Sequence, residues 1–139
     1  MRVYMLDTSI VGLFFRGHPE VTRRIVAAPM RSLCVSAVTE AELWLGAAQR
    51  PEAERLAGLM GEFLSRVDVL PWTSGAARRF GSLWREMEGS GCSLDVFDLQ
   101  LAAHALSLDH VSGERRILVT NDGAFRQVAG LTVEDWTKD

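Results

Sequence analysis

Short apolar runs that alternate with longer helical patterns constrain the fold of this chain more than any other feature. Strands without a polar side are typical of a parallel sheet that is covered on both faces. Five runs read as strands, the last more weakly: residues 3–6, 33–36, 67–70, 117–120 and 131–136. Between and beside them, helical periodicity covers residues 8–16, 19–28, 37–49, 51–65, 74–88, 97–108 and 123–128. The pattern predicts an α/β fold, a three-layer α/β/α sandwich around a mostly parallel sheet of four to five strands.

Size and composition restrict the class of protein. The 139 residues, 47% of them hydrophobic, fit a single domain over 1–139 with a proper core. The 15 basic and 18 acidic groups give a net charge of −3, so the overall charge of the chain does not favour binding to nucleic acid. Cys34 and Cys92 form no metal-spaced pair, and no uncharged apolar run is long enough to span a bilayer. We therefore expect a cytoplasmic protein with free thiols and no membrane association.

Acidic and polar side chains follow two of the predicted strands. Asp7 comes directly after the first strand and precedes Thr8 and Ser9, while Asn121 and Asp122 follow the fourth strand. Ligands of open α/β sheets bind beyond the carboxyl ends of the strands, where helix N-termini also point. These residues are therefore expected to lie near one site.

The helix predicted after the second strand adds a third carboxylate. Val38, Ala41 and Leu45 define its apolar side on a helical wheel. Glu42 lies at the margin of that side, whereas Glu40 points nearly opposite. We therefore predict that Glu42 reaches the site.

The helix over 97–108 carries a fourth carboxylate in an unexpected place. At 100° per residue, Asp98 falls with the apolar side, opposite a polar side; the apolar set is Leu101, Ala102, Ala105 and Leu108, and the polar set is Gln100, His104 and Ser107. A carboxylate on an apolar face costs several kcal/mol unless a positive or hydrogen-bonding group meets it. The position therefore requires a partner that the helix does not supply.

Each carboxylate also has a structural interpretation. Asp7 could be a helix N-cap, Thr39 and Glu42 match a capping box, and Asp122 fits a turn. Asp95 and Asp98 could be a cap and a first-turn charge favoured by the helix dipole. None of these roles excludes metal binding, and the coincidence of four carboxylates at strand ends favours a common site.

Crowded carboxylates raise one another's pKa and destabilise a fold unless a cation joins them. A hard divalent ion, Mg²⁺ or Mn²⁺, prefers such oxygen ligands, and the chemistry that it favours is hydrolysis of a phosphodiester. The three histidines are not needed as ligands. His18, His104 and His110 are all predicted to be solvated.

Two other classes of protein are alternatives to a metal-dependent hydrolase. A phosphotransferase or receiver domain that uses an aspartyl phosphate also places Asp after the first strand, but it needs a lysine across the site. Lys138 is the only lysine here. A non-catalytic RNA- or protein-binding module with a degraded site is the second alternative, against which the intact Asp7, Glu42 and Asp98 argue.

Five segments of the chain are distinctive: "MLDTSI", "SAVTEAELWLGA", "DLQLAAHAL", "LVTND" with Phe125 after it, and "VAGLTVEDW". In this order and over nearly the whole chain, they resemble the PIN-domain ribonucleases, specifically the VapC-type toxins of bacterial toxin–antitoxin pairs. The resemblance implies a metal-dependent endoribonuclease whose Mg²⁺ or Mn²⁺ is coordinated by Asp7, Glu42 and Asp98. Asp122 and Asn121 compete for the fourth ligand position. The supporting residues are Thr8, Ser9, Asp95, Thr120 and Asn121.

The resemblance also implies partners. These are an RNA substrate, a second copy of the chain, and a small VapB-type antitoxin in a heterotetramer or larger complex. The antitoxin's C-terminal segment would lie in an apolar groove and direct a basic side chain toward the acidic pocket. Candidate groove residues are Leu13, Phe14, Phe15, Trp44, Leu45, Leu56, Leu59, Met60 and Phe63. Most of them are equally suited to the core, whereas Trp44 is predicted to be exposed.

Overall fold

A parallel sheet forms the centre of the computed structural model, which describes residues 2–108 and 115–138. Its strands within those residues are β1 Arg2–Leu6, β2 Leu33–Ser36, β3 Asp68–Leu70, β4 Arg115–Val119 and β5 Val133–Glu134. The strand order is β3-β2-β1-β4-β5, and every neighbouring pair is parallel. The α/β fold with a parallel sheet is therefore confirmed. The weakly predicted last strand contributes only two residues to the pairing.

The helices lie close to their predicted positions. They are α1 Thr8–Phe15, α2 Pro19–Ala27, α3 Ala37–Ala48, α4 Ala53–Arg66, α5 Ser74–Met87 and α6 Val96–Ser107, with 3-10 turns at Met30–Ser32 and Gly123–Gln127. The helix predicted over 123–128 is such a turn. No helix within the described ranges is long and apolar enough to cross a membrane.

Two apolar cores cover opposite faces of the sheet, and β1 serves both. Leu6 belongs to the core formed with α1 to α4, whereas Val3 and Met5 belong to the core formed with α5 and α6. Successive side chains of a strand point to opposite faces, so this alternation requires a layer of helices on each side. The predicted three-layer sandwich is confirmed. That residues 1–139 form one domain stays a prediction.

The central position of β1 creates a cleft at the carboxyl edge of the sheet. The chain leaves β1 toward β2 and β3 on one side and later returns to place β4 on the other side. Leu6 pairs with Val119, and the backbone N–H of Asp7 donates to the Val119 carbonyl at 3.1 Å. Beyond this last bond, the two connections diverge to opposite sides of the sheet. Such a switch point is where open α/β sheets bind ligands.

The prediction of which side of α3 is buried is wrong. The buried residues are Thr39, Leu43 and Ala47, whereas Ala41 is exposed and Leu45 is 57% exposed. Leu43 and Leu45 flank a tryptophan in an almost continuous apolar run, so apolarity alone does not select the buried face. Packing of Leu43 and Ala47 into the core with α1, α2 and α4 selects it instead.

Trp44 is exposed, as predicted. Its side chain is 38% exposed, and its Nε1 donates to Glu40 Oε2 at 3.1 Å. The hydrogen bond joins consecutive turns of α3, so both side chains lie on the outer surface of that helix.

The prediction that the histidines are solvated fails at His104, which is only 1% exposed. Every residue from Leu101 to Leu106 is buried, because α6 packs between the sheet and α5 and has almost no solvent side. A wheel that contrasts polar with apolar residues cannot detect such a helix. His18 is half-buried and caps α2, its Nδ1 accepting from the Val21 N–H, and His110 lies outside the described residues.

Candidate active site

The four predicted carboxylates line one pocket of about 360 Å³ at the carboxyl edge of the sheet. It is bounded by the β1–α1 junction, α3, the first turns of α6 and the connection after β4. Its lining residues are Asp7, Thr8, Ser9, Glu42, Asp98, Leu101, Asn121, Asp122 and Phe125. No basic side chain is among them. The lining is therefore acidic and oxygen-rich, with Leu101 and Phe125 as its apolar part.

Asp7 is the most deeply placed of the four. Its side chain caps α1, with Oδ1 accepting from the Ile10 N–H at 2.9 Å and from the Ser9 hydroxyl at 2.8 Å. Burial raises the pKa of Asp7, and hydrogen bonds from Thr120, Ile10 and Ser9 oppose that shift. The predicted cap is therefore real, and the same carboxylate still faces the pocket.

Ser9 joins the two connections that leave the switch point. Its Oγ lies 2.8 Å from Asp7 Oδ1 and 2.8 Å from Asn121 Oδ1. The hydroxyl carries one proton, so it donates to one of these oxygens at a time. Ser9 and Asn121 are 112 residues apart in sequence, and their contact holds the loop after β4 against α1.

Glu42 enters the pocket from α3. Its Oε1 accepts from the Thr8 hydroxyl at 2.8 Å. Burial raises the pKa of Glu42, the Thr8 hydrogen bond opposes this, and the charges of Asp95 and Asp7 add to the rise. The predicted Thr39–Glu42 capping box is wrong, because α3 begins earlier, at Ala37 directly after β2, with Ser36 as its cap. The Glu42 carboxylate is thereby left free to face the site.

Asp98 and Asp95 form a capping box at the start of α6. Asp95 Oδ1 accepts from the Asp98 N–H at 2.9 Å, and Asp98 Oδ2 accepts from the Asp95 N–H at 3.3 Å. Burial raises the pKa of Asp98 to about 6, and the nearby charges of Asp95 and Asp122 contribute to the rise. Capping therefore explains why an acidic residue is tolerated here, but it supplies no positive charge. Asp95 itself does not line the pocket.

Asp122 completes the set from the connection after β4. Its Oδ1 accepts from the Ala124 N–H at 2.9 Å and caps the short 3-10 turn, in keeping with the predicted turn role. Its own N–H donates to Thr120 Oγ at 3.0 Å. Thr120 is buried beneath the site and hydrogen-bonds to Asp7 as well, which links the ends of β1 and β4.

The oxygens of the pocket approach one another without enclosing a complete metal cage. Within residues 2–108 and 115–138, no three Asp, Glu, His or Cys side chains are grouped closely enough to hold a metal ion directly. The pKa of Asp7, of Glu42 and of Asp98 is nevertheless raised in each case. Negative charge is thus concentrated in a pocket that no basic side chain of the described residues lines, and a cation from solution would relieve the repulsion.

A first prediction follows from the raised pKa of Asp98. Because its pKa is about 6 when folded and 3.8 ordinarily, the folded state holds more protons between these values, and its stability falls as pH rises through them. Asp98→Asn removes the charge but keeps an oxygen for the Asp95 N–H. We expect the free energy of unfolding of the variant, measured in urea with chelator at pH 7, to be about 1–2 kcal/mol higher than that of wild type. At pH 4 the difference should vanish.

The exposed Asp68 on β3, which does not line the pocket, offers a matched control. Asp68→Asn should leave the free energy of unfolding at pH 7 within about 0.5 kcal/mol of wild type. If Asp98→Asn is less stable than wild type at pH 7, the capping charge of Asp98 outweighs the repulsion, and our interpretation of its pKa is wrong.

Comparison with known proteins agrees with this geometry. The PIN domain family model matches residues 4–131. A "tRNA(fMet)-specific endonuclease VapC" from Shigella flexneri is 32% identical over 137 residues, which cover 99% of this chain and 100% of the relative. A "Ribonuclease VapC2" from Haemophilus influenzae is 35% identical over 138 residues, 98% of this chain and 99% of the relative.

Solved structures give the same assignment. DNA-bound VapBC from Salmonella typhimurium contains a chain that matches with a TM-score of 0.86 at 29% identity, covering 98% of this chain and 99% of that one. VapBC2 from Rickettsia felis, bound to a promoter DNA fragment, matches with a TM-score of 0.85 at 27% identity and the same coverage. The chain therefore belongs to the PIN domain family and, within it, to the VapC group.

Proposed function

We propose that this protein is a metal-dependent endoribonuclease that acts as the toxin of a toxin–antitoxin pair. The observation that carries the proposal is the pocket at the β1–β4 switch point, where four carboxylates face one another without a basic side chain. The relatives named ribonuclease or endonuclease, at 32% and 35% identity, support the reaction class. A degraded binding module would have no reason to keep so costly a concentration of negative charge.

The donor set fits Mg²⁺ or Mn²⁺. Asp7, Glu42, Asp98 and Asp122 offer only oxygen, which suits a hard divalent ion. Because no three carboxylates among the described residues converge directly, the ion would be held partly through water, as is usual for Mg²⁺. When bound, it supplies Lewis acidity to the scissile phosphodiester. Asn121 lies beside Asp122 and is the alternative fourth ligand.

The neighbouring side chains orient the carboxylates. Thr8 fixes one oxygen of Glu42, and Ser9 fixes one oxygen of Asp7, each at 2.8 Å. Thr120 hydrogen-bonds to Asp7 and receives the Asp122 N–H. Asp95 holds Asp98 through the capping box. The bonds to Glu42 Oε1 and to Asp98 Oδ2 leave the other oxygen of each of these two carboxylates for the ion or for the water bound to it.

The partner we propose is a VapB-type antitoxin. Matching structures are VapBC complexes, and this chain has an apolar groove of about 400 Å³ between α1, α2 and α4. Four of the predicted groove residues line it, namely Phe14, Phe15, Leu59 and Phe63, whereas the exposed Trp44 and Leu45 do not. Val26, at 75% exposed, and Met30, at 51%, widen it. An apolar segment of the antitoxin would cover this surface. The homodimer and its heterotetramer with antitoxin stay predictions.

RNA is the proposed substrate, in the cytoplasm. The relatives named for tRNA(fMet) make initiator tRNA the first RNA to test. The rest of the tRNA pool, ribosomal RNA and messenger RNA form the comparison set.

The test is cleavage of these RNAs by purified protein that is free of antitoxin. Wild type, Asp98→Asn and the control Asp68→Asn are compared with Mg²⁺, with Mn²⁺ and with chelator. We expect discrete fragments from wild type and Asp68→Asn only when metal is present, and at least about a hundredfold slower cleavage by Asp98→Asn. Equal cleavage in chelator would contradict the metal requirement. A folded wild type that leaves every RNA intact would favour the binding module.

A further inference from the structure

A buried polar pair connects two helices of the site from outside the pocket. His104 Nδ1, on α6, lies 2.8 Å from Ser36 Oγ, at the end of β2. His104 is 1% exposed and Ser36 is fully buried. Neither residue lines the pocket, and the nuclease chemistry proposed above makes no use of either.

The hydrogen bonds around the pair allow Ser36 to donate to His104. Ser36 Oγ accepts the Val38 N–H at 3.0 Å as the N-cap of α3, so its own proton is free to be donated to Nδ1. Burial lowers the pKa of His104, and the Pro71 carbonyl opposes this shift. The lowered pKa favours the neutral imidazole, one nitrogen of which can accept a hydrogen bond. Trp72 packs edge-on against the ring, with centroids 5.6 Å apart, and fixes its plane.

A histidine at this position has a cost. Its Nε2 is buried and has no hydrogen-bond partner of ordinary geometry among the described residues. Burying a polar side chain whose hydrogen bonds are not all well formed costs free energy that an aliphatic side chain in the same core would avoid. Polar groups kept in a core at such a cost often specify one arrangement of the packed elements.

The pair lies where it can determine the relation between two carboxylates. Ser36 precedes Glu42 by six residues at the start of α3, and His104 follows Asp98 by six residues on α6. At 1.5 Å per residue, each is about 9 Å along its helix from the carboxylate. The bond therefore joins the start of α3 to the last turn of α6, the two helices that carry Glu42 and Asp98.

We propose that the His104–Ser36 hydrogen bond positions the acidic site by setting the distance between Glu42 and Asp98. In this proposal, His104 is a positioning residue. The proposal rests on the proposed function. A site that binds metal through carboxylates requires its ligands to be held within about 0.5 Å. Removal of the bond should therefore weaken metal binding, although neither residue touches the metal.

The test compares four variants of the full chain. His104→Leu removes the acceptor, His104→Asn keeps an oxygen to accept from Ser36, and Ser36→Ala removes the donor together with the α3 cap. Thr73→Ala is the matched control, because Thr73 caps α5, its Oγ accepting from the Ala76 N–H at 3.1 Å, and it does not take part in the pair. Circular dichroism and thermal melts select the folded variants. The Mn²⁺ dissociation constant is measured by calorimetry, and kcat and KM by RNA cleavage.

We expect His104→Leu and Ser36→Ala to weaken Mn²⁺ binding about 10- to 100-fold and to lower kcat with little change in KM for RNA. His104→Asn should recover most of both losses, and Thr73→Ala should match wild type in both. If His104→Leu does not fold, Ser36→Ala and His104→Asn decide the question. Wild-type Mn²⁺ affinity in a folded His104→Leu, or equal effects of Ser36→Ala and Thr73→Ala, would overturn the proposal. A wild type that neither binds Mn²⁺ nor cleaves RNA would instead refute the proposed function, and the positioning role with it.

Discussion

Replacing Asp7 by Asn is expected to lower the rate of RNA cleavage by about a thousandfold or more, because a bound ion stabilises the transition state by several kcal/mol. Asp7 is only 6% exposed and stands at the centre of the cleft, between α1 and the connection after β4. Because Asp7 is the most buried of the four carboxylates, a water molecule is least able to take its place. The measurement is the initial rate of initiator-tRNA cleavage in Mg²⁺, under the conditions that give wild-type activity.

The same position separates the site role from the structural role. The amide oxygen of Asn can still accept from the Ile10 N–H, so Asp7→Asn should melt no lower than wild type. Asp7→Ala loses the cap as well, which costs about 1 kcal/mol of stability. Cleavage by Asp7→Asn within tenfold of wild type would show that Asp7 does not hold the ion.

Replacing Leu118 by Ala is expected to reduce the free energy of unfolding by about 3–5 kcal/mol, the range for a fully buried leucine. Leu118 is fully buried in β4, between β1 and β5, and packs in the core with α5 and α6. Small domains are stable by about 5–15 kcal/mol, so this loss removes a large part of the total stability. Urea unfolding with the metal chelated measures the loss.

Leu45 provides the matched control for Leu118. It is the same residue type but 57% exposed on α3, so Leu45→Ala should change stability by less than about 0.5 kcal/mol. A large loss from Leu45→Ala would mean that another molecule covers this surface in solution. A small loss from Leu118→Ala would mean that β4 is not the interior strand, between β1 and β5, that the pairing describes.

The strands and the carboxyl edge were predictable from sequence because both depend on local patterns. A run such as 117–119 is apolar throughout only if both faces of the strand are covered. Residues that directly follow such runs must emerge at the same edge of a parallel sheet. Asp7 and Asp122 could therefore be placed together although more than a hundred residues separate them.

The buried faces of α3 and α6 were not predictable in the same way. Each of these helices has apolar residues on every side. Which face is buried therefore depends on the elements that pack against the helix and not on its periodicity. Leu45 was wrongly assigned to the core, and His104 was wrongly assigned to solvent. The His104–Ser36 contact joins residues 68 apart, and no spacing rule in the sequence indicates it.

The capping and site interpretations were treated as alternatives, but the structure combines them. Asp7, Asp98 and Asp122 each hydrogen-bond to the backbone at the start of a helix or 3-10 turn, and each also lines the pocket. This combination follows from topology, since helices that follow parallel strands begin at the carboxyl edge, where ligands bind. A capping motif in such a fold is therefore no evidence against a site.

The central place of β1 in the sheet has a consequence for protein synthesis. Asp7 is synthesised before Val119, whose carbonyl holds its backbone, and before Asn121 and Asp122, which line the same pocket. A nascent chain that ends before these residues lacks one wall of the cleft. We therefore expect a translation product that is truncated before Asn121 to leave the RNA around it intact.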